Sequence, residues 1–252
     1  MSKERGEKVK YPVHINAHGS GFVIKTLFGS DAEFCRMISK HTGAIVLDCD
    51  YAKAPEDPFP AAYEDICDVV AYILFDEENY YDQSCLTIGG FSAGATLALV
   101  VSATLPKDTF KAVVAFYPVT RPILSDTNRP HYREFKGLWL PRLPPFVLSY
   151  FTRAYIPHTA SLDDPRLSPD SNAPSAFPDK ALLVICGLDP LYDEGIRLGK
   201  ALKAEGKNVD VMEIPEAWHA WDKEVKDGTK DDQTRVLAYD RAAETLRNAY
   251  QR

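Results

Sequence analysis

Residues 85–97 read CLTIGGFSAGATL, and this stretch decides the fold. Its first five residues form an apolar, β-rich run, and an Ala/Leu/Val-rich run of helical character begins after Gly94. A strand and a helix that meet in so tight a turn nearly collide, so Gly90 and Gly94 lack side chains there and Ser92 is expected in an exposed, strained position. This pattern is typical of a nucleophilic serine. The alternative is a glycine-rich helix start with Ser92 as its cap.

Short β-rich runs alternate with segments of helical period along the rest of the chain. Apolar residues recur at steps of three and four between Phe59 and Ile73, and again between Val236 and Tyr250, which predicts amphipathic helices. Near-continuous apolar strands separated by such helices indicate an α/β fold with a mostly parallel central sheet and helices on both faces. The predicted strands are residues 11–17, 44–49, 85–89, 112–116, 181–186 and 209–214.

The segment from residue 119 to residue 178 breaks this alternation. It contains ten of the 18 prolines and several aromatic residues, including Trp139. So many helix breakers exclude a long regular element, yet the apolar content is too high for a disordered linker. We predict a small cap over one end of the sheet, inserted into a single domain that spans residues 1–252. A surface excursion with its own small core is the alternative.

The composition limits the classes of function. Of the 252 residues, 45% are hydrophobic and 26% are charged, a balance typical of a globular chain. The formal net charge of −7, without a basic patch, argues against nucleic-acid binding. No run approaches the roughly 18 apolar residues of a membrane span. Five cysteines without a CxxC pair or metal-ligand spacing favour free thiols in a reducing cytoplasm and no metal site.

A serine hydroxyl becomes nucleophilic only beside a base, and a histidine is the usual choice. If the order along the chain is serine, acid, histidine, the candidates after Ser92 are His131, His158 and His219. Of these, His219 alone lies in the loop just after a predicted strand, on the side of the sheet where Ser92 emerges. His219 is therefore the predicted base.

The acid that orients the imidazole should also follow a strand. Asp189 comes directly after the predicted strand 181–186 and is the favoured residue. Asp193 is its rival, although a position at the start of a helix suits that residue better. Asp222 is too close to His219 along the chain to sit behind its ring.

Acyl transfer also needs hydrogen-bond donors for the developing oxyanion. The stretch 18–22, which reads HGSGF, follows the first strand, and its glycines allow backbone N–H groups to turn toward one point. Ala93 supplies another N–H group from the serine turn. The third glycine of a dinucleotide fingerprint is absent, so this loop does not predict a nucleotide cofactor.

Five ordered motifs resemble those of the hormone-sensitive-lipase-like branch of the α/β-hydrolase superfamily. HGSGF at 18–22 is similar to its HGGGF/W motif, and DYAKAPEDPFPA at 50–61 is similar to its DYRLAPE…PFPA block. GFSAG at 90–94 looks like its GDSAG, DPLYDE at 189–194 like its acid motif, and HAW at 219–221 like its His-x-Phe. Ser20 replaces the middle glycine of the first motif, and Phe91 replaces the Asp of the third.

The resemblance implies a carboxylic-ester hydrolase with Ser92, Asp189 and His219 as its catalytic triad. The oxyanion donors would be the N–H groups of Gly19, Ser20 and Ala93. Family members need no metal or organic cofactor, and a small-molecule ester is the implied substrate. The aromatic cap, with Trp218 and Trp221, favours a hydrophobic pocket for short or medium acyl groups.

Several alternatives stay open at this level. An amidase, a lactonase or an acyltransferase would use the same triad. Gibberellin receptors share the fold without the catalytic histidine, so a non-catalytic small-molecule receptor is the alternative from another class. The family also carries a longer N-terminal part that supplies strands and part of the lid. Because the HGSGF loop begins already at His18, we expect either that the sequence is incomplete or that it is a minimal version with a more open site and an exposed sheet edge. A second copy of the chain would cover that edge in a homodimer. A poorly folded or inactive chain is the third possibility.

Overall fold

Six strands lie side by side in one parallel sheet in the computed structural model, which describes residues 9–122 and 145–251. Their order across the sheet is β2-β1-β3-β4-β5-β6, and every neighbouring pair is parallel. The strands are β1 (Tyr11–Ala17), β2 (Ile45–Cys49), β3 (Tyr81–Phe91), β4 (Ala112–Phe116), β5 (Lys180–Cys186) and β6 (Asn208–Ile214). The described helices are α1 (Ala32–Thr42), α2 (Ala61–Leu74), α3 (Ala93–Thr104), α4 (Pro145–Tyr155), α5 (Tyr192–Ala204) and α6 (Lys230–Tyr250).

Helices cover both faces of the sheet, as the apolar patterns predict. One apolar core joins α2, α3 and α5 to the sheet, and a second joins α1 and α6 to its other face. All five residues of β4 are buried, because its side chains meet helices on either side. The α/β prediction is therefore confirmed.

The predicted strands match the observed ones to within a residue at each end, with β3 as the exception. This strand starts at Tyr81 and ends at Phe91, whereas the apolar run predicted residues 85–89. The extra residues at its start are partly exposed, and Tyr81 pairs with Tyr11 across a register shift. Because these residues are mostly polar, the apolar pattern that predicts the strand does not extend to them.

The apolar stripe of α6 is also shorter than predicted. Tyr239, Ala243 and Leu246 are buried, but Val236 is 48% exposed. The buried face of this helix begins at Ala238. Val236 therefore does not belong to the stripe.

The turn between β3 and α3 is as tight as its glycines predict. A Cβ on Gly94 would overlap the carbonyl of Ala17, and a Cβ on Gly90 would overlap the same carbonyl. Ser92 itself has φ 52° and ψ −118°, which places it in a region that residues with side chains rarely adopt. Both glycines are thus required by the close approach of β1.

Part of the predicted cap, residues 123–144 with Trp139 and His131, lies outside the described residues. The described remainder holds α4 and two short 3₁₀ turns, Pro169–Ser171 and Pro174–Ala176. The extent of a cap at 119–178 and its place in a single domain stay predictions.

The five cysteines all lie in the described residues, none of them forms a disulfide, and four are buried. The half-buried one is Cys67. Within residues 9–122 and 145–251, no helix is both long and apolar enough to cross a membrane.

Candidate active site

Ser92, His219 and Asp189 meet at the carboxyl ends of the strands, although they are far apart along the chain. The Ser92 Oγ lies 2.8 Å from the His219 Nε2. The His219 Nδ1 lies 2.6 Å from the Asp189 Oδ2. The structure therefore brings the three predicted residues together in a hydrogen-bonded line.

Backbone hydrogen bonds to the ends of strands hold Ser92 and Asp189 in place. The Ser92 N–H donates to the carbonyl of Phe116 at the end of β4, at 2.9 Å. Asp189 is 1% exposed, and its Oδ1 accepts the N–H of Leu191 at 3.0 Å. The carboxylate of Asp189 can therefore accept a hydrogen bond from the Nδ1–H of His219 while its other oxygen anchors the start of α5. This arrangement fixes the imidazole with Nε2 toward Ser92.

The rival residues occupy other places. Asp193 lies in the first turn of α5, the helix-start position that its sequence context suggests. Asp222 accepts hydrogen bonds from the phenol O–H groups of Tyr117 and Tyr239, each at 2.7 Å, and so does not sit behind the His219 ring. His158 is exposed in a turn.

The loop 18–24 lies directly against the serine turn. A Cβ on Gly19 would be 3.2 Å from the carbonyl oxygen of Phe91 and 3.4 Å from the Cβ of Ser92. Among the described residues, the backbone N–H groups of Gly19, Ser20 and Ala93 have no hydrogen-bond acceptor. All three residues line one cavity with Ser92. They are therefore available to a bound group at that position.

The replacement of glycine by Ser20 causes no backbone strain at that residue. The positive φ angles of the loop fall instead on Gly21, at 57°, and on Phe22, at 63°. A Cβ on Gly21 would collide with the ring of Phe151 in α4, so glycine is needed there for space as well. The ring of Phe22 stacks on Tyr155 of α4, with centroids 3.9 Å apart.

A cavity of about 220 Å³ opens beside Ser92 and His219. The described part of the 119–178 segment supplies much of its apolar wall, through Leu148, Phe151 and Tyr155. Trp218 and Trp221, which the sequence suggests for the pocket, are not among the described residues that line it. Trp221 packs against Tyr117 instead, with ring centroids 5.9 Å apart. The expectation about the two tryptophans is therefore wrong.

An ion cluster beside the serine turn, with two buried carboxylates and a largely buried lysine, has no signal in the sequence. The Lys223 Nζ lies 2.7 Å from the Asp31 carboxylate, 3.0 Å from that of Asp222, and 3.3 Å from the ring centroid of Phe91. Burial disfavours the charged ammonium, but the two carboxylates outweigh that effect and raise the pKa of Lys223. Phe91 thus offers its ring face to a cation.

The same cluster supports the loop that carries His219. The phenol O–H of Tyr117 donates a hydrogen bond to Asp222, and its ring lies edge-on to the imidazole, with centroids 4.8 Å apart. Burial, together with the neighbouring charge of Asp222, raises the pKa of Tyr117 well above its usual range, so the phenol keeps its proton. Tyr117 could not be found by pattern because Asp222 and His219 are distant from it along the chain, and Lys223 could not because it meets Asp31, which is also distant.

No group of three or more His, Cys, Asp or Glu side chains that could hold a metal ion occurs in the described residues. The arrangement built from Ser92 and His219 supplies a nucleophile and a proton carrier from side chains of the chain itself.

Comparison with known proteins places the chain in a family. A family model described as the alpha/beta hydrolase fold matches residues 14–223. The chain belongs to this family. The match confirms the resemblance inferred from the five motifs, and it runs from β1 to the loop that carries His219.

Curated relatives of the chain have been named as esterases. The chain is 28% identical over 207 residues to an ethyl acetate hydrolase of Pseudomonas putida, a match that covers 80% of this chain and 63% of that protein. It is 30% identical over 221 residues to the esterase LipI of Mycobacterium tuberculosis, covering 85% of this chain and 67% of LipI. The chain thus spans about two thirds of the length of these relatives.

A solved structure shows how far the likeness in fold extends. EstE1, a thermophilic carboxylesterase cloned from a metagenomic library, superposes with a TM-score of 0.85 at 26% identity. The superposition covers 98% of this chain and 82% of EstE1. The α/β-hydrolase fold class predicted from the sequence is therefore confirmed.

Proposed function

We propose that the chain is a serine hydrolase that cleaves carboxylic esters through an acyl-enzyme. The observation that carries this proposal is the hydrogen-bonded line from Ser92 through His219 to Asp189, with contacts of 2.8 Å and 2.6 Å. A serine in that line can lose its proton as it attacks, because the imidazole accepts it and the carboxylate stabilises the imidazolium. The names of the relatives support the same reaction.

The first half of the reaction forms the acyl-enzyme. The Ser92 Oγ attacks the carbonyl carbon of the ester while its proton moves to the His219 Nε2. The carbonyl oxygen becomes an oxyanion in the tetrahedral intermediate. His219 then gives the proton to the leaving alcohol as the bond between carbon and alkoxy oxygen breaks.

Backbone N–H groups of Gly19, Ser20 and Ala93 are the proposed donors to the oxyanion. They border the cavity beside Ser92, and none of them has an acceptor within the described part of the chain. Removal of a single such donor typically costs a factor of about 100 to 1,000 in kcat.

The second half releases the acid. Water takes the place of the alcohol and attacks the acyl carbon while His219 accepts its proton. The second tetrahedral intermediate then collapses as His219 returns that proton to the Ser92 Oγ and the bond between the acyl carbon and Oγ breaks, which frees the carboxylic acid. The groups that carry the reaction are side chains and backbone N–H groups of the chain itself, so no metal or organic cofactor is part of this proposal.

The size and wall of the cavity favour short or medium acyl chains. About 220 Å³ beside the nucleophile holds a small group, and apolar side chains of α4 face it. We therefore expect higher kcat/KM for acetate and butyrate esters than for palmitate esters.

A small-molecule receptor on the same fold is the weaker alternative. A receptor does not need a base in hydrogen-bond contact with the serine, whereas His219 contacts Ser92 here.

The cytoplasmic location, which rests on cysteine usage, stays a prediction.

Hydrolysis of p-nitrophenyl acetate and butyrate tests the proposal. We expect the wild type to turn over both esters and Ser92→Ala to lose nearly all activity. Ser102→Ala is the matched control, because Ser102 is buried and donates to the carbonyl of Leu99 in α3, away from the cavity. Equal rates for the wild type and Ser92→Ala would refute the assignment of the nucleophile.

A further inference from the structure

The hydroxyl group of Ser20 joins a buried chain of hydrogen bonds that the usual glycine at this position could not make. The Ser20 Oγ accepts the N–H of Phe22 at 3.0 Å and lies 2.7 Å from the Tyr51 Oη. The Tyr51 Oη lies 2.6 Å from the carbonyl oxygen of His18. Ser20 and Tyr51 are 2% and 5% exposed, so water does not substitute for these contacts.

The donors and acceptors in this chain have one consistent assignment. The carbonyl of His18 can only accept, so the single proton of Tyr51 must go to it. The Tyr51 oxygen is then an acceptor, and the Ser20 hydroxyl donates to it. The hydrogen bonds therefore run from the Phe22 N–H through Ser20 and Tyr51 to His18. Burial raises the pKa of Tyr51 far above its usual range, which keeps its proton in place.

The remaining groups of Ser20 also fix the loop, except one. Its carbonyl accepts the N–H groups of Val23 and Ile24, at 3.1 Å and 2.9 Å. Its hydroxyl oxygen accepts the N–H of Phe22, two residues ahead, and so closes a turn at Gly21. Both Gly21 and Phe22 have a left-handed backbone conformation. Its backbone N–H is the one group left without an acceptor in the described residues.

A second group of side chains holds the other end of the same loop. The His18 Nδ1 lies 2.9 Å from the carbonyl of Gly19, and its Nε2 lies 3.0 Å from the Asp50 Oδ1. Lys53 contacts the same Asp50 oxygen at 2.6 Å and lies 3.7 Å from the ring centroid of Tyr51. The hydroxyl of Tyr51 thus bonds to the loop, through Ser20 and His18. Its ring contacts Lys53, in the segment that follows β2.

We propose that the Ser20 hydroxyl, acting with Tyr51, is a positioning group that sets the N–H groups of Gly19 and Ser20 against the nucleophile. This inference rests on the proposed ester hydrolysis. Gly19 already lies in contact with the Ser92 turn, so a small shift of the loop changes the distance from its donors to an oxyanion on Ser92. The hydroxyl has no contact with the substrate in this proposal, so its effect is on transition-state stabilisation.

Ser20→Ala tests the proposal because it removes the hydroxyl and keeps a side chain at the position. With p-nitrophenyl butyrate we expect kcat to fall about tenfold, less than for loss of a donor itself, and KM to change by less than about twofold. A trifluoromethyl ketone forms an oxyanion adduct with the serine, so its Ki should rise by the same factor as kcat/KM falls.

Tyr51→Phe and the double variant give an independent reading. Since both residues act through one chain of hydrogen bonds, the double variant should be little worse than the worse single variant. Ser102→Ala removes a buried serine hydroxyl elsewhere and should leave kcat and Ki unchanged. If Ser20→Ala does not fold, the same changes in kcat and Ki are expected of Tyr51→Phe.

Failure of this inference is distinguishable from failure of the proposed function. A wild type without esterase activity would overturn the function. An active wild type whose kcat is unchanged in Ser20→Ala or, should that variant not fold, in Tyr51→Phe would overturn the positioning role alone. A fall in kcat without a rise in the Ki of the ketone would also overturn it, because the oxyanion donors would then be undisturbed.

Discussion

The side chains of the candidate site differ in how far the sequence reveals them. Ser92 and His219 are 127 positions apart, yet both follow predicted strands, and the parallel sheet brings such positions to one edge. Tyr51 stands in a recognisable motif, but its role depends on a hydrogen bond to Ser20 that no spacing rule contains. Lys223 has no signal, because one of the two carboxylates that balance its charge is Asp31, which precedes α1 and is distant along the chain.

Asp189→Asn tests how the imidazole of His219 is held. Asparagine keeps the shape but offers the wrong hydrogen-bonding pattern to Nδ1, so the ring loses its working tautomer. We expect kcat to fall by about a thousandfold or more, with a smaller change in KM. Steady-state kinetics with p-nitrophenyl butyrate measures this.

Asp193→Asn is the matched control for that substitution. Asp193 lies in the first turn of α5 and is not part of the line that ends at Ser92. Its variant should retain kcat within about threefold, since loss of a charge at a helix start affects stability by less than about 1 kcal/mol. A large loss in Asp193→Asn with none in Asp189→Asn would reverse the assignment.

Secondary structure elements were predictable where burial shapes the sequence. β4 is apolar throughout and β5 is apolar after Lys180, and their predicted bounds lie within one residue of the observed ones. β3 begins with partly exposed residues, so its first four positions were missed. The proline-rich segment could not be predicted in detail, because α4 takes its place through contacts of Phe151 and Tyr155 with the distant loop 18–24.

Gly94→Ala tests the close approach of α3 to β1. The added methyl group would overlap the backbone of Ala17, which cannot move without breaking the sheet, so we expect a loss of several kcal/mol or failure to fold. Gly206→Ala is the control. Gly206 has φ 86° but open space around it. Its alanine variant should be less stable by only about 1 kcal/mol, because of backbone strain alone. Urea denaturation compares them, and equal losses would contradict the steric argument.

His14 in β1 should make stability depend on pH. Burial lowers its pKa from 6.5 to about 3. Between these values the unfolded chain binds a proton that the folded chain does not, so the free energy of unfolding falls as the pH falls from 6.5 toward 3. At pH 5 this one group should already lower the free energy of unfolding by about 2 kcal/mol.

His14→Phe removes that titration and keeps a ring of similar size in the core. The loss of stability between pH 7 and pH 5 should be smaller than in the wild type by about 2 kcal/mol, measured by urea denaturation at each pH. His158→Gln, at an exposed turn, should keep the wild-type dependence. Parallel curves for the wild type and His14→Phe would show that burial of His14 does not perturb its titration.

At the scale of the whole molecule, the order of layers was predictable and the association state was not. Alternation of strand and helix patterns fixes a parallel sheet between two helical layers, and both layers are observed. The described sheet ends at β2 and β6. The predicted homodimer assumes that a second copy of the chain pairs with an exposed edge strand of this sheet, and it stays a prediction. Sedimentation velocity should detect a dimer at micromolar concentration, and a monomer across a dilution series would contradict it.

The central claim is that His219 makes the Ser92 hydroxyl nucleophilic, and covalent labelling tests it most directly. A fluorophosphonate reacts with a serine only when a base removes its proton. Mass spectrometry of the labelled, digested protein should locate one adduct, on Ser92, that disappears in His219→Gln and after heat denaturation. A folded wild type that stays unlabelled, or that carries the adduct on another residue, would contradict the account.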